Sequence, residues 1–126
     1  MEDLKIEKTS KTPEVTIDCS NGRIGIIGIC IPENSKDFFE PIIKKIDCID
    51  HSKSQIIFDI YLEYFNTGSS IGLLNLFLKV AKLKGAVMPG KVIWKVDEDD
   101  EDILESGEIL EEISKLDFEF VEIPER

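Results

Sequence analysis

Apolar and polar residues alternate along the first third of the chain. A period of two is typical of strands that bury one face. The strands predicted in this way are residues 4–7, 15–19 and 23–31. Asn21-Gly22 between the last two is a strong signal for a tight hairpin. Gly25 and Gly28 within the third strand indicate a bulge or a close backbone approach.

Beyond residue 34 the apolar spacing becomes that of amphipathic helices, which alternate with short apolar runs. Helices are predicted after residue 35, from about residue 67 to 84, and from about residue 100 to 115. Strands are predicted over residues 55–64, 92–96 and 118–121. Ser35 or Asn34 can cap the first helix, and Thr67 or Ser69 the second.

The predicted elements follow the order β-β-β-α-β-α-β-α-β with short connections. A strand hairpin followed by alternating helices and strands predicts an α/β fold, with a mixed β-sheet and helices packed over it. The chain has 126 residues and shows no linker or internal repeat. We therefore expect a single domain over residues 1–126.

The second helix is apolar around most of its circumference. One face, suited to the sheet, carries Leu73, Leu74, Phe77, Val80 and Ala81; Ile71 and Leu78 lie beside it, and Leu76 and Leu83 lie on a further flank. A helix of this kind must be covered on more than one side. A neighbouring helix and a partner protein are both open as the cover.

The formal net charge of -11 argues against nucleic acid and anionic membrane as partners, because both would repel the chain. The densest acidic run covers residues 97–102, but Asp102 occupies the place of the glycine that a calcium loop requires. We interpret the run as a solvated helix start, to which Asp99 and Asp100 supply first-turn charge. Docking of a basic partner there is the alternative.

The sequence offers no catalytic, metal or cofactor site. Three cysteines without a short spacing indicate reduced thiols in a cytosolic protein. The single histidine, His51, is expected at the end of the first helix and has no partner for a zinc site or a nucleophile–base pair. No signal peptide is visible, and the longest apolar run, residues 24–31, is too short to span a bilayer. We expect a cytoplasmic protein without enzymatic activity.

Three hydroxyls, those of Thr67, Ser69 and Ser70, lie where the fourth strand passes into the second helix. Free N–H groups and the positive end of the helix dipole stabilise an anion at such a position. These residues are therefore either plain helix caps or a site at which a phosphate is attached.

Several segments of the chain are similar to one family. They are residues 11–15, 31–34 and 62–67, together with Trp94 and the acidic stretch from there to residue 108. In these segments the chain resembles the SiaC family of bacterial regulatory phosphoproteins, whose fold is like the STAS domain of anti-sigma-factor antagonists. The block Tyr64-Phe65-Asn66-Thr67 is the most specific part of the resemblance.

The resemblance implies a phosphorylation switch. A Ser/Thr kinase would modify Thr67, a PP2C-type phosphatase would restore it, and the unmodified form would bind a diguanylate cyclase or an anti-sigma-type kinase. Gly68 stands where the family more often has a third hydroxyl, so Ser69 is the alternative acceptor. The partner-binding residues expected around this corner are Tyr64, Phe65, Asn66, Gly68, Ser69, Ser70, Ile71 and Leu78.

Two rival functions fit the same residues. A small-ligand module would hold a phosphate-bearing metabolite at the start of the second helix without covalent attachment. A scaffold would use the acidic third helix to bind a basic partner.

Overall fold

A computed structural model describes residues 3–49, 55–83 and 90–124. The strands are β1 (Leu4–Ile6), β2 (Glu14–Asp18), β3 (Arg23–Cys30), β4 (Ile56–Phe65), β5 (Gly90–Asp97) and β6 (Asp117–Ile123). The helices are α1 (Ser35–Lys45), α2 (Thr67–Ala81) and α3 (Glu101–Ser114), and a 3-10 turn, Ile46–Cys48, follows α1. The predicted order of elements is confirmed. His51 and the predicted end of α2 at Lys84 lie outside the described residues.

The six strands form one mixed sheet in the order β1-β2-β3-β4-β5-β6. β1, β2 and β3 pair antiparallel, and β3 to β6 pair parallel. α1, α2 and α3 lie in the three successive parallel connections. Right-handed crossovers that all progress in the same direction along the sheet place these helices on one face. α2 accordingly packs between α1 and α3. This arrangement confirms the predicted α/β fold with helices over a mixed sheet.

Alternation along the strands separates a buried face from an open one. The strand residues that make up most of the core are Val15, Ile17, Ile24, Ile26, Ile56, Phe58, Ile60, Leu62, Val92, Trp94, Val96 and Phe118. The opposite face carries ion pairs between Arg23 and Asp59 and between Lys91 and Glu119, each 2.9 Å from nitrogen to oxygen. The helices therefore cover one side of the sheet, and the other side carries polar side chains that face the solvent.

The β2–β3 hairpin occurs where Asn21-Gly22 predicts it, and the pairing of β3 with β4 becomes irregular next to Gly28. Gly22 has a φ of 67°, a left-handed conformation that glycine adopts without steric cost. Gly28 has a φ of 129°, and the register between β3 and β4 shifts directly after it. Because Gly28 pairs with Leu62 and Ile29 pairs with Tyr64, the extra residue of this bulge is Glu63 in β4, opposite the step after Gly28, and not a residue of β3.

The helix caps differ in part from the prediction. Asn34 caps α1, since its side chain accepts a hydrogen bond from the N–H of Asp37. The expectation that Thr67 or Ser69 caps α2 is wrong, because Asn66 is the residue in extended conformation and its Oδ1 accepts from Ser69 N at 2.9 Å. Thr67 is instead the first helical residue.

The acidic run begins α3 in a slightly different way from that expected. Asp100 is the N-cap, and its carboxylate accepts from Ile103 N at 3.1 Å. Asp99 lies in the preceding turn with a φ of 71°. The first-turn acids are therefore Glu101 and Asp102, not Asp99 and Asp100.

The buried face of α2 is rotated relative to the predicted one. Leu76 is fully buried, whereas Leu74 and Ala81 are only partly buried. The cause is the close packing of α1: a Cβ on Gly72 would lie 2.3 Å from the ring of Phe39. The sequence left a neighbouring helix or a partner protein open as the element that covers α2. In the structure, α1 and α3 cover its flanks.

Candidate functional site

Thr67 lies at the first position of α2 with its side chain exposed. The preceding Asn66 holds the start of the helix through two hydrogen bonds, Ser69 N to Asn66 Oδ1 at 2.9 Å and Ser70 N to Asn66 O at 3.0 Å. The first N–H groups of a helix have no acceptor within the helix, and the dipole adds positive potential there. A phosphate on Thr67 would be electrostatically compatible with its own helix.

Ser69, the alternative phosphate acceptor, occupies a different environment. Its side chain is fully buried, and the Cys30 thiol donates to its Oγ at 3.3 Å. Burial raises the pKa of Cys30, which keeps that thiol neutral as a donor. The Ser69 hydroxyl therefore joins the end of β3 to α2 inside the core, a position that disfavours modification.

Gly68 marks a close approach between two helix starts. A Cβ at this position would lie 2.3 Å from Ser35 Oγ, at the start of α1. Gly68 therefore has a packing role, because a larger residue here would require the Ser35 side chain to move aside. The starts of α1 and α2 consequently lie side by side.

Tyr64 and Phe65, adjacent at the end of β4, face different surroundings. Tyr64 is 58% exposed, whereas Phe65 is half-buried and packs edge-to-face on Trp94 with ring centroids 6.0 Å apart. Of the two expected partner-binding aromatic residues, Tyr64 thus presents the larger accessible surface. Phe65 mainly anchors the corner.

Thr67 shares its side of α2 with apolar residues. Positions four, seven and eleven residues after Thr67 return to the same side of a helix, and they hold Ile71, Leu74 and Leu78. Ile71 is 57% exposed, and the two leucines are half-buried. We call these four residues the α2 face. It unites Thr67 with two of the predicted partner-binding residues, whereas Ser70 is half-buried beside it.

Two exposed isoleucines on α3 were missed by sequence reasoning. Ile109 and Ile113 are 49% and 51% exposed. At helical spacing they lie on the same side of α3 as Asp102 and Ser106. Asp102 and Ser106 line a depression of about 350 Å³, and the end of β4 around Tyr64 forms its other wall. The start of this flank of α3 therefore borders the end of β4 around Tyr64. The available signal was an apolar pair four residues apart on an otherwise acidic helix, out of phase with the buried Ile103 and Leu110.

A groove of about 710 Å³ runs between α1 and α2. It borders the α2 face and shares Ile71 with it. Its lining consists of Ser35, Lys36, Phe39, Glu40, Ile43, Lys44, Gly68, Ile71, Gly72 and Asn75. The floor is mostly apolar, and the charged lining residues are Lys36, Glu40 and Lys44, of which Glu40 and Lys44 form an ion pair at 2.9 Å. Thr67 precedes the groove residue Gly68, so the start of α2 borders the groove.

Within the described ranges, no cluster of histidine, cysteine and acidic side chains could hold a metal ion. Among those same residues, no helix is long and apolar enough to cross a membrane. The chemical features that this part of the chain brings together are thus an exposed hydroxyl, apolar side chains and surface charge.

Comparison with known proteins gives relatives that match nearly the whole chain. An uncharacterized protein of Pseudomonas aeruginosa (strain UCBPP-PA14) is 26% identical over 119 residues, which are 94% of each chain. The crystal structure of apo-SiaC from Pseudomonas aeruginosa matches with a TM-score of 0.77 and 25% identity, over 96% of this chain and 99% of the other.

A second solved structure has a higher TM-score. It is that of the diguanylate cyclase SiaD in complex with its activator SiaC from Pseudomonas aeruginosa. The match has a TM-score of 0.86 and 24% identity, and it covers 96% of this chain and 100% of the matched chain. The family model of the SiaC family regulatory phosphoproteins matches residues 6–123. The chain therefore belongs to the SiaC family of regulatory phosphoproteins.

Proposed function

We propose that this protein is a non-enzymatic cytoplasmic regulator whose binding to a target protein is switched by phosphorylation of Thr67. The observation that carries the proposal is the location of Thr67, exposed at the start of α2 and on the same side as Ile71 and Leu78. A Ser/Thr kinase would add the phosphate, and a PP2C-type phosphatase would remove it. SiaC, a structural neighbour, is the activator of a diguanylate cyclase, so we propose an enzyme of that class as the target.

The target-binding surface would consist of the α2 face with Tyr64 at one end. Exposed apolar side chains are the usual anchors of a protein interface, and aromatic residues are enriched there. Asn66, Gly68, Ser69 and Ser70 would support this surface from below or at its rim, since they hold the start of α2 in place. Ile109 and Ile113 would extend it onto α3.

Phosphate would act by changing the charge at one end of this surface. It adds about -1.5 to -2 charges and three acceptor oxygens. The start of α2 tolerates that charge. A partner that covered the phosphate with apolar groups, however, would remove its hydrating water and provide no interaction to compensate for the loss. Unless the partner supplies an arginine, the phosphorylated surface should release it.

The switch can be tested with a diguanylate cyclase from the same organism, by titration calorimetry. We expect Thr67→Ala to bind like the unmodified protein, and the phosphorylated form to bind at least about tenfold more weakly, about 1.4 kcal/mol. Thr67→Glu should also bind more weakly than the unmodified protein. Ser20→Glu is a matched control, since Ser20 is exposed in the β2–β3 hairpin.

Equal affinities of the unmodified and phosphorylated forms would contradict the switch. The site of modification is tested separately, by intact mass and peptide mapping of the protein purified from its host. Phosphate on Thr67 supports the proposal, and phosphate on Ser69 would require α2 to open, because that hydroxyl is buried.

A small-anion module is the second candidate function. The observation in its favour is the groove between α1 and α2, whose lining includes Lys36 in the first turn of α1, beside the start of α2. A ligand bound there would raise the melting temperature in proportion to its affinity and concentration. A thermal-shift screen with nucleotides and phosphosugars would detect it, and no shift at millimolar ligand would exclude those ligand classes.

A further inference from the structure

Two cysteines that are 29 residues apart in the chain meet at one end of the molecule. Cys19 directly follows β2, and Cys48 ends the 3-10 turn after α1. Their sulfur atoms lie 2.6 Å apart as thiols. The Cys48 thiol also donates a hydrogen bond to Lys45 O at 2.9 Å.

The two thiols differ in access. Cys19 is 5% exposed, whereas Cys48 is half-buried and opens onto a surface depression of about 450 Å³. Lys44 and Lys45 also line this depression. Their ammonium groups can stabilise the negative charge that develops on the leaving oxygen of an oxidant when the Cys48 sulfur attacks it.

We propose that Cys19 and Cys48 are an oxidation site, at which a two-electron oxidant such as hydrogen peroxide closes an intramolecular disulfide. The site lies at the opposite end of α1 from the start of α2, and the proposal does not depend on the function of Thr67. A disulfide has a sulfur–sulfur bond of about 2.05 Å, so closure requires an approach of about 0.5 Å.

The reaction is balanced in two steps. First, Cys48 sulfur attacks one peroxide oxygen; a sulfur–oxygen bond forms, the oxygen–oxygen bond breaks, and hydroxide leaves with the thiol proton as water. Next, Cys19 sulfur attacks the sulfenic sulfur; the disulfide forms, the sulfur–oxygen bond breaks, and a second water leaves with the Cys19 proton. Two thiols are oxidised, and one peroxide is reduced to two waters.

The roles of the two sulfurs follow from their surroundings. Burial, with the Cys48 thiol beside it, raises the pKa of Cys19 to about 11, so Cys19 stays protonated at neutral pH. The more accessible Cys48 is therefore the sulfur that meets the oxidant. Cys19 then resolves the sulfenic acid that forms within contact distance of it.

Cys30 provides an internal control within the same molecule. It is fully buried at the end of β3, and its thiol donates to Ser69 Oγ. Its position beside the start of α2 places it away from the depression at Cys48. Cys30 should therefore remain a thiol under conditions that close the Cys19–Cys48 pair.

The test treats the reduced full-length protein with hydrogen peroxide and then alkylates it under denaturing conditions. We expect the mass before alkylation to fall by about 2 Da, one alkylated cysteine, and recovery of three after dithiothreitol. Peptide mapping should place the cross-link between Cys19 and Cys48, and Cys30 in the alkylated peptide. Cys30→Ala should still lose about 2 Da, whereas Cys19→Ser and Cys48→Ser should not.

Three alkylated cysteines after treatment, a cross-link that includes Cys30, or sulfinic acid on Cys48 without a cross-link would overturn the proposal. These outcomes are read from the natural sequence itself, so they do not depend on the folding of a variant. The melting temperature is a second measurement: oxidation should raise it by several degrees, since the bond restrains the unfolded chain.

Discussion

At the scale of single residues, two helical glycines determine how closely α2 packs on α1 and how closely α3 packs on the sheet. A Cβ on Gly72 would lie 2.3 Å from Phe39, and one on Gly107 would lie 2.5 Å from Trp94 Nε1. Trp94 is held in place by its own hydrogen bond to Ile103 O at 3.0 Å. The rigid indole ring therefore cannot move aside cheaply, and α3 approaches the sheet as closely as glycine allows.

We predict that Gly107→Ala destabilises the protein despite the higher helix propensity of alanine. The propensity gain is at most about 1 kcal/mol, whereas overpacking a filled core costs about 1–3 kcal/mol. The free energy of unfolding in urea should fall by about 1–2 kcal/mol. Glu108→Ala, on the exposed neighbour, is the matched control and should change it by less than about 0.5 kcal/mol. A gain in stability for Gly107→Ala would contradict this account of the packing.

At the scale of secondary-structure elements, the correct predictions of strands, helices and their order rest mostly on patterns among neighbouring residues. The period of two in β2 and β3 and the helical spacing in α1 are properties of neighbouring residues, so the element order follows from them. The caps are harder to assign because Asn66, Thr67 and Ser69 are all capping residue types, and backbone conformation alone selects among them.

The side of a helix that becomes buried depends on its neighbours as well as on its own sequence. α2 is apolar around most of its circumference, so its pattern does not determine how far it turns towards α1. The contact between Gly72 and Phe39 decides that angle and brings Leu76 into the core. Ile71 and Leu78 remain on the side of Thr67, as residues beside the predicted sheet face should.

The α2 face is predicted to contribute directly to target affinity. Ile71→Asp places a charge at its exposed centre, and the target would have to desolvate that charge without a partner. We expect at least about tenfold weaker binding to the diguanylate cyclase, about 1.4 kcal/mol, with an unchanged melting temperature. Ile27→Asp is the control, because Ile27 is similarly exposed, 47%, on the open face of the sheet. Equal losses in both variants would argue against a specific role of α2.

At the scale of the whole molecule, the path of the chain creates contacts that no local pattern contains. Cys19 and Cys48 share no short spacing, and they meet only because β3 and α1 carry the chain across the sheet and back. Charge is also distributed at this scale. α3 has acids in its first turn and no basic residue in its last turn, whereas Lys44 and Lys45 end α1. The α2 face lies between these two helices of different charge.

This distribution makes the salt dependence of target binding informative. Raising the salt concentration from about 0.1 M to 1 M shortens the screening length from about 10 Å to about 3 Å, which suppresses exposed charge pairs. If the apolar α2 face carries the affinity, Kd should change by less than about threefold over this range. If acidic α3 is the main docking element, Kd should rise far more, and Glu105→Gln and Glu112→Gln should reduce that rise. A steep salt dependence that these two variants flatten would transfer the interface from α2 to α3, although it would leave the covalent chemistry of Thr67 to be tested on its own.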